Sequence, residues 1–325
     1  METPGIPLLG DVPSGSVTRF EAMAGWVGNT PLWQIPLPAG SPCRLFVKLE
    51  GTNPTGSVKD RACVAMLRAM ISDPGWDPSL SVIDSSSGNM GCSLAYFGRI
   101  LGVGVTIVSS SKLTTEKRFF MEYFGASVET QGEFTIEGNR YCAEIARSDP
   151  SRWYFLDQLH NPNNAIAHEM GTGPEILSQL PGLTAVVGSV GSGGTLLGVG
   201  RYLKRVDDQI KVIAVEAASG TRLPGTASLV DGDYRTPFIA EGFTRKVFDS
   251  SVQVSEGEAV AVARHLSLAG LFTGLQTYAV VAAALRAAES GELRGDTLLI
   301  SGDTAWKNMD VLARKVHGQA GAATP

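Results

Sequence analysis

Twice in this chain an apolar run ends in a polar, glycine-bearing loop, and a helical pattern follows. The first instance is the run 80–83, then Asp84-Ser85-Ser86-Ser87-Gly88-Asn89-Met90-Gly91, then a helical stretch that stops near Gly102, then a second apolar run at 103–108. The second is the run 183–187, the loop Gly191-Ser192-Gly193-Gly194-Thr195, a helical stretch over 196–204 and a further strand pattern at 212–216. Strand, loop, helix, strand is a βαβ unit, and repeated units of this kind imply parallel sheets joined by right-handed crossovers. The fold class is therefore α/β, with parallel sheets flanked by helices. In such sheets ligands collect where strands deliver their carboxyl ends, which makes both loops candidate binding segments.

Their residue types point to anions. Ser86, Ser87 and Asn89 bring hydroxyls and an amide to a helix start, where backbone N–H groups add to them, an arrangement suited to a carboxylate. Taken alone, an ordinary capped turn is the better account of this loop. The glycines at 191, 193 and 194 let the backbone approach an anion, with Ser192 and Thr195 as further donors. No Lys-Ser/Thr ends this loop, and its spacing is not G-x-G-x-x-G, so it fits one phosphate rather than a nucleotide. A third segment, Asn53-Pro54-Thr55-Gly56-Ser57-Val58-Lys59-Asp60-Arg61, places a lysine after a Gly-Ser turn at a helix entrance. Ser57 and Asp60 have the spacing of a capping box, and Ala62, Ala65, Met66 and Ala69 give the helix an apolar face. A lysine held there and partly desolvated can form a Schiff base with an aldehyde, although a lone lysine in a first turn is usually solvated. A Schiff-base lysine, a carboxylate loop and a monophosphate cradle together describe a site for pyridoxal phosphate.

The chain resembles the cysteine synthase and cystathionine β-synthase family of fold-type II pyridoxal phosphate enzymes. The resemblance runs from Gly28-Asn29-Thr30-Pro31-Leu32 to about Asn308. It includes Lys48-Leu49-Glu50, Asn161-Pro162-Asn163-Asn164 and Gly171-Thr172-Gly173-Pro174-Glu175 besides the three segments above. It implies the two-domain tryptophan synthase β-like fold and a homodimer. It implies that Lys59 holds the cofactor as an internal aldimine and acts as base at the substrate Cα. Asn89 is expected at the ring hydroxyl, and Gly191, Ser192, Gly193, Gly194 and Thr195 at the phosphate. Ser86, Ser87, Gly88, Asn89, Met90 and Gln158 are expected around the substrate carboxylate. Thr304 is the favoured partner of the pyridine nitrogen, with Ser301 and Asp303 kept open. The implied reaction is β-replacement on an activated L-serine, such as an O-acetyl or O-phospho ester, through an aminoacrylate. The product is cysteine or a related β-substituted alanine.

Several positions depart from the family pattern. Met90 stands where synthases often have threonine, and Gln276 and Tyr278 stand where small residues are usual. Ala240-Glu241-Gly242-Phe243 is the nearest match to the family's Gln-Gly-Ile-Gly loop, and Trp306-Lys307 resembles cysteine synthase B-type members. These departures raise the prospect of another acceptor or leaving group, including an amine that yields a 2,3-diaminopropionate-type product. A lyase releasing pyruvate is the competing enzyme reading. A partner-binding protein on the same fold is the non-enzyme reading, disfavoured by the intact Lys59 and phosphate loop.

Length and composition fit. The 325 residues suffice for two α/β domains, expected as a smaller one over 44–160 and a larger one from 1–43 with 161–317, leaving a frayed tail at 318–325. A net charge of −5 without a basic stripe argues against nucleic acid. The absence of an 18-residue apolar run or signal peptide gives the expectation of a cytoplasmic protein with no membrane partner. Cys43, Cys63, Cys92 and Cys142 lack metal-ligand spacing, as do the four histidines, so no metal is expected.

Overall fold

The computed structural model describes residues 15–231 and 235–316; the expected tail lies outside them. Helix α1 (Ser16–Ala24) precedes strands β1 (Leu32–Gln34) and β2 (Cys43–Lys48). Then follow α2 (Lys59–Ser72), β3 (Ser81–Ser85), α3 (Asn89–Leu101), β4 (Val105–Ser109), α4 (Thr115–Tyr123), β5 (Ser127–Thr130), α5 (Thr135–Ser148) and β6 (Trp153–Phe155). Alternation continues through α6 (Asn163–Ala167), α7 (Gly173–Gln179), β7 (Leu183–Ser189), α8 (Gly194–Val206), β8 (Lys211–Ala217), α9 (Pro237–Thr244) and β9 (Ser250–Val254). Helices α10 (Glu256–Leu268) and α11 (Leu275–Glu289), strand β10 (Gly295–Ile300) and α12 (Met309–Val316) follow as the last elements among the described residues.

Two sheets result. One is four-stranded, ordered β5-β4-β3-β6, and every neighbouring pair is parallel. The other is six-stranded, ordered β1-β2-β10-β7-β8-β9, and only its β1–β2 pair is antiparallel. The interior strands are buried on both faces, as parallel strands covered by helices must be, which is why they read as unbroken apolar runs. Both helices after the candidate loops form where their periodicity places them. Gly102 ends α3 in the left-handed conformation, φ +83°.

The division at residue 44 needs correction. Strand β2 pairs with β10 from Cys43↔Gly295 to Ile300↔Lys48, so it belongs to the six-stranded sheet. Helix α1, in contrast, sends Phe20 and Ala24 into the cluster of Met66, Met90, Phe97 and Ile107 around the four-stranded sheet. The amino-terminal segment therefore splits between the halves. Its apolar residues carry no label for which of two cores they join.

The Lys59 helix begins without the expected capping box. Its N-cap residue is Val58, and Ser57 Oγ is buried without a hydrogen-bond partner. Asp60 instead accepts from the Thr55 N–H at 2.7 Å and from Ser93 Oγ at 2.5 Å. The turn is fixed from outside: Val58 N donates to Gly302 O, Thr304 N donates to Gly56 O, and Ser57 pairs with Asp303.

Candidate active site

The carboxyl ends of β3, β7 and β10 deliver their loops to one crevice between the sheets. Lys59 opens α2 at this crevice, partly exposed, with Nζ 3.3 Å from Ser192 Oγ of the glycine loop. Burial lowers its pKa to about 8, against the pull of nearby Asp84. A lysine amine with its pKa lowered toward neutrality is nucleophilic enough to condense with an aldehyde.

The glycine loop is a cradle that side chains would fill. Gly193, at φ +86°, caps α8, and a Cβ there would stand 2.7 Å from Ile239 Cγ1. A Cβ on Gly191 would meet Gly225 O at 2.7 Å, and one on Gly194 would meet Asn164 Oδ1 at 2.4 Å. Asn164 donates to Ser192 Oγ at 3.3 Å and to Gln158 O at 2.8 Å, while its own Oδ1 is a buried acceptor without a partner. Thr195 Oγ1 lies 3.1 Å from Nε2 of His168, whose Nδ1 lies 2.9 Å from Thr172 Oγ1. Burial holds His168 well below the usual histidine range, so it is neutral. Backbone amides at a helix start suit a phosphate.

The serine loop is less uniform than its sequence suggested. Ser86 Oγ accepts from the N–H groups of Gly88 and Gly91, so it shapes the loop. Ser87 is exposed. Gln158 is buried with Nε2 on Ser85 O at 2.5 Å, so its amide braces the loop from beneath. Met90, expected beside the substrate carboxylate, is 1 % exposed and packs in the core around the four-stranded sheet. Only its backbone N–H at the helix start is left to offer. Asn89 donates Nδ2 to Asp303 Oδ2 at 2.9 Å, and its Oδ1 is a second buried acceptor without a partner.

The three candidates for the pyridine nitrogen separate. Asp303 is engaged with Asn89 and with Lys117, whose Nζ is 3.5 Å away. Thr304 sits on the Gly51 and Gly56 turns: a Cβ on Gly56 would stand 2.8 Å from its Cγ2. Ser301 Oγ accepts from Glu50 N at 2.8 Å and keeps its own proton to donate.

The two departures on α11 also separate. Gln276 reaches the crevice: its amide donates to Ser189 Oγ and to Gly225 O, and its Oε1 would lie 2.1 Å from a Cβ on Gly302. Tyr278, expected to project there too, is 2 % exposed in the core over the six-stranded sheet, with its hydroxyl on Leu271 O at 2.6 Å. Ala240-Glu241-Gly242-Phe243 is no loop. It lies within α9, where Glu241 pairs with Arg201 and Gly242 packs on Phe248. The start of α9 does reach the glycine loop, through Thr236, Phe238 and Ile239, and the turn at Gly225 reaches it as well.

Asp84, Lys117, Asn164 and His168 were not singled out as site residues. Asn164 and the neighbourhood of His168 were signalled by the motifs at 161–164 and 171–175. Asp84 and Lys117 carry no local signal, since only the folded structure shows a charged residue to be buried. All four cysteines are buried free thiols, and no cluster of metal-ligating side chains occurs among the described residues.

These groups fit pyridoxal phosphate: an amine for the aldehyde, a glycine cradle for the phosphate and an empty buried acceptor at Asn89. The sequence model of the family described as "Pyridoxal-phosphate dependent enzyme" matches residues 23–302. A cysteine synthase B of Pseudomonas aeruginosa is 33% identical over 302 residues, covering 87% of this chain and 97% of its own. A crystal structure of an O-acetylserine dependent cystathionine β-synthase from Helicobacter pylori superposes with TM-score 0.79 at 27% identity, over 97% of this chain and all of that one. An O-ureido-L-serine synthase superposes with TM-score 0.81 at 25% identity, over 93% and 96% of the two chains.

Proposed function

Because this chain belongs to the pyridoxal-phosphate dependent enzyme family, we propose that it catalyses β-replacement on an O-acylated L-serine, giving cysteine or a related β-substituted alanine. The observation that carries the reading is the 3.3 Å approach of Lys59 Nζ to the glycine cradle, which puts a reactive amine and a phosphate site in one crevice. Pyridoxal phosphate supplies the electron sink for the substrate Cα. Lys59 takes the proton from Cα and later returns one there. The amides of Gly191, Gly193 and Gly194 hold the phosphate, with Ser192 and Thr195 beside them. The helix start at Ser87, Gly88 and Asn89 orients the substrate carboxylate, braced by Gln158. Asn89 faces the ring hydroxyl, and Ser301, with its proton free, is the hydroxyl we assign to the pyridine nitrogen in place of Thr304. Gln276, held by Ser189 Oγ and Gly225 O, places a polar amide beside the glycine loop and Gly302, and we assign to it the choice of acceptor.

The protein should purify yellow, change its spectrum with O-acetyl-L-serine in the absence of any nucleophile, and recover when a nucleophile is added. Mass analysis of the amino acid formed then identifies the acceptor. Lys59→Ala should cut turnover about 10³-fold or more, the scale of removing a covalent catalyst. If O-acetyl-L-serine leaves the spectrum unaltered and no β-substituted product forms from any serine ester, the reading fails. We further propose a cytoplasmic homodimer. Phe119 and Tyr123 stand exposed one turn apart on α4, and no helix among the described residues is long and apolar enough to cross a membrane. Sedimentation at the monomer mass of 34.3 kDa would contradict the dimer.

A further inference from the structure

One buried amide joins the two loops of the crevice. Asn164, on α6, is fully buried. Its Nδ2 donates to Gln158 O at 2.8 Å and to Ser192 Oγ at 3.3 Å. An amide nitrogen has two protons, so these two acceptors use it completely. Gln158 O can only accept, which fixes the nitrogen side of the amide toward it. The backbone of Asn164 is pinned as well. Its N–H donates to Asn161 O, and two glycines one turn apart on α8 let α6 lie close. A Cβ on Gly194 would stand 2.4 Å from Asn164 Oδ1, and one on Gly198 would stand 2.1 Å from Ala165 O.

Each acceptor leads to a different loop. Gln158 donates Nε2 to Ser85 O at 2.5 Å, beneath the serine loop. Ser192 Oγ, in the glycine loop, is surrounded by donors: Asn164 Nδ2 and Lys59 Nζ at 3.3 Å each, and Gly194 N at 3.4 Å. A hydroxyl oxygen has two lone pairs and one proton. Once Lys59 engages the cofactor aldehyde, Asn164 and Gly194 occupy both lone pairs. The proton is then the part of the hydroxyl left to point into the crevice, and no described residue accepts it.

We propose that Asn164 is a positioning residue that couples the phosphate cradle to the substrate-carboxylate loop: one Nδ2 proton turns the Ser192 hydroxyl so that it donates to the cofactor phosphate, and the other holds Gln158 under the serine loop. The proposal rests on the reading above that the glycine loop takes the phosphate and the serine loop the substrate carboxylate. Without Asn164 a lone pair of Ser192 is free to face the phosphate, which repels it, and Gln158 O loses its donor. One substitution therefore weakens two grips on opposite sides of the crevice.

The test compares N164A, S192A and the double variant with wild type. Titration of the cofactor-free proteins with pyridoxal phosphate should show affinity about fivefold or more lower in N164A, the scale of one lost hydrogen bond. The double variant should bind no more weakly than S192A, because Asn164 acts on the phosphate through Ser192. The phosphorus NMR signal of the bound cofactor should move in N164A in the direction it moves in S192A. With cofactor saturating and no nucleophile present, the O-acetyl-L-serine concentration that half-saturates the rate of spectral change should rise about fivefold in N164A. Its maximal rate should stay within about twofold of wild type, as for a residue that positions and does not react. N164S, too short to reach either partner, carries the test if N164A does not fold. A folded variant that keeps both wild-type affinities, or loses only one of them, overturns the inference, as do losses that add in the double variant or an S192A with wild-type cofactor affinity. A wild-type protein that takes up no pyridoxal phosphate, or whose spectrum answers to no serine ester, overturns the underlying reading instead.

Discussion

Asp84 closes β3 with one carboxylate oxygen on the amides of Ser85 and Gln158, and with the other buried and unpartnered. Burial pushes its pKa up to about 8, which the two amides only partly offset. A carboxyl whose folded pKa exceeds its unfolded value contributes stability in full below the unfolded pKa near 4, and that contribution is lost as pH rises through about 8. Asp84→Asn keeps the oxygen that the amides need and cannot ionise. Urea unfolding of the cofactor-free protein should show the variant gaining on wild type between pH 5 and pH 8, by about 1 kcal/mol or more at the upper end. A difference that does not change with pH would show that the carboxyl does not titrate in this window. Lys59 stood out in the sequence as a candidate because the Gly-Ser turn and helix entrance around it are contiguous. Gln276 and Tyr278 looked alike, because sequence shows that a residue is unusual but not which face of α11 carries it. Their roles should now divide. Tyr278→Phe should cost about 1 kcal/mol, the worth of one hydrogen bond, and leave acceptor choice alone. Gln276→Ser should change the preferred nucleophile while donor-stage spectral changes stay as in wild type. A Gln276→Ser enzyme with unaltered acceptor preference would reduce Gln276 to packing.

At the scale of elements, the strands and the helices after the two loops were legible because their signals are local: apolar runs for doubly buried parallel strands, and helical periodicity closed by Gly102. The starts of elements set by distant contacts were not. Helix α2 begins where the segments around 57 and 303 meet, so no cap was needed at Ser57. Helix α9 starts with Thr236 accepting from the Ile239 N–H, and Thr236 also donates to Ser192 O. It thereby stands against the glycine loop, although its sequence was read as a loop of its own. That contact makes the loop sensitive to bulk. Gly193→Val would need φ +86°, strained for a β-branched residue, and would press into Ile239 and Phe238. Titration of the cofactor-free variant with pyridoxal phosphate should show affinity lower by about 2–3 kcal/mol, the scale of lost charge-assisted hydrogen bonds. Wild-type affinity in a folded Gly193→Val protein would place the phosphate elsewhere.

At the scale of the molecule, the motifs that carried the resemblance meet in one buried ion network joining α2 to the six-stranded half. Lys48 Nζ lies 2.5 Å from Glu175 Oε1; Arg61 pairs with Glu175 at 2.8 Å and with Glu50 at 2.7 Å. Thr30 and Asn53 hydrogen-bond the Glu50 carboxylate. Residues spread from 30 to 175 thus fix the helix that begins with Lys59, two residues before Arg61. Sequence order hides this, because nothing local to Glu175 names Lys48 or Arg61 as its partner. Burial alone would raise the Glu175 carboxyl, but Arg61 and Lys48 outweigh it and hold its pKa at about 2. A carboxyl depressed in the native state contributes stability that is present above its unfolded pKa of about 4.5 and is lost as pH falls toward 2. Glu175→Gln removes that contribution and strands Lys48 and one edge of Arg61 in a buried setting, so it should destabilise the protein by about 3–5 kcal/mol at pH 7. The gap between wild type and variant should narrow steadily from pH 5 to pH 2, as wild type loses what the variant never had. Because α2 carries Lys59, the variant should also bind pyridoxal phosphate more weakly while its glycine loop is untouched. Equal stabilities at pH 7, or a gap that is constant down to pH 2, would mean that the network does not hold the two halves in register.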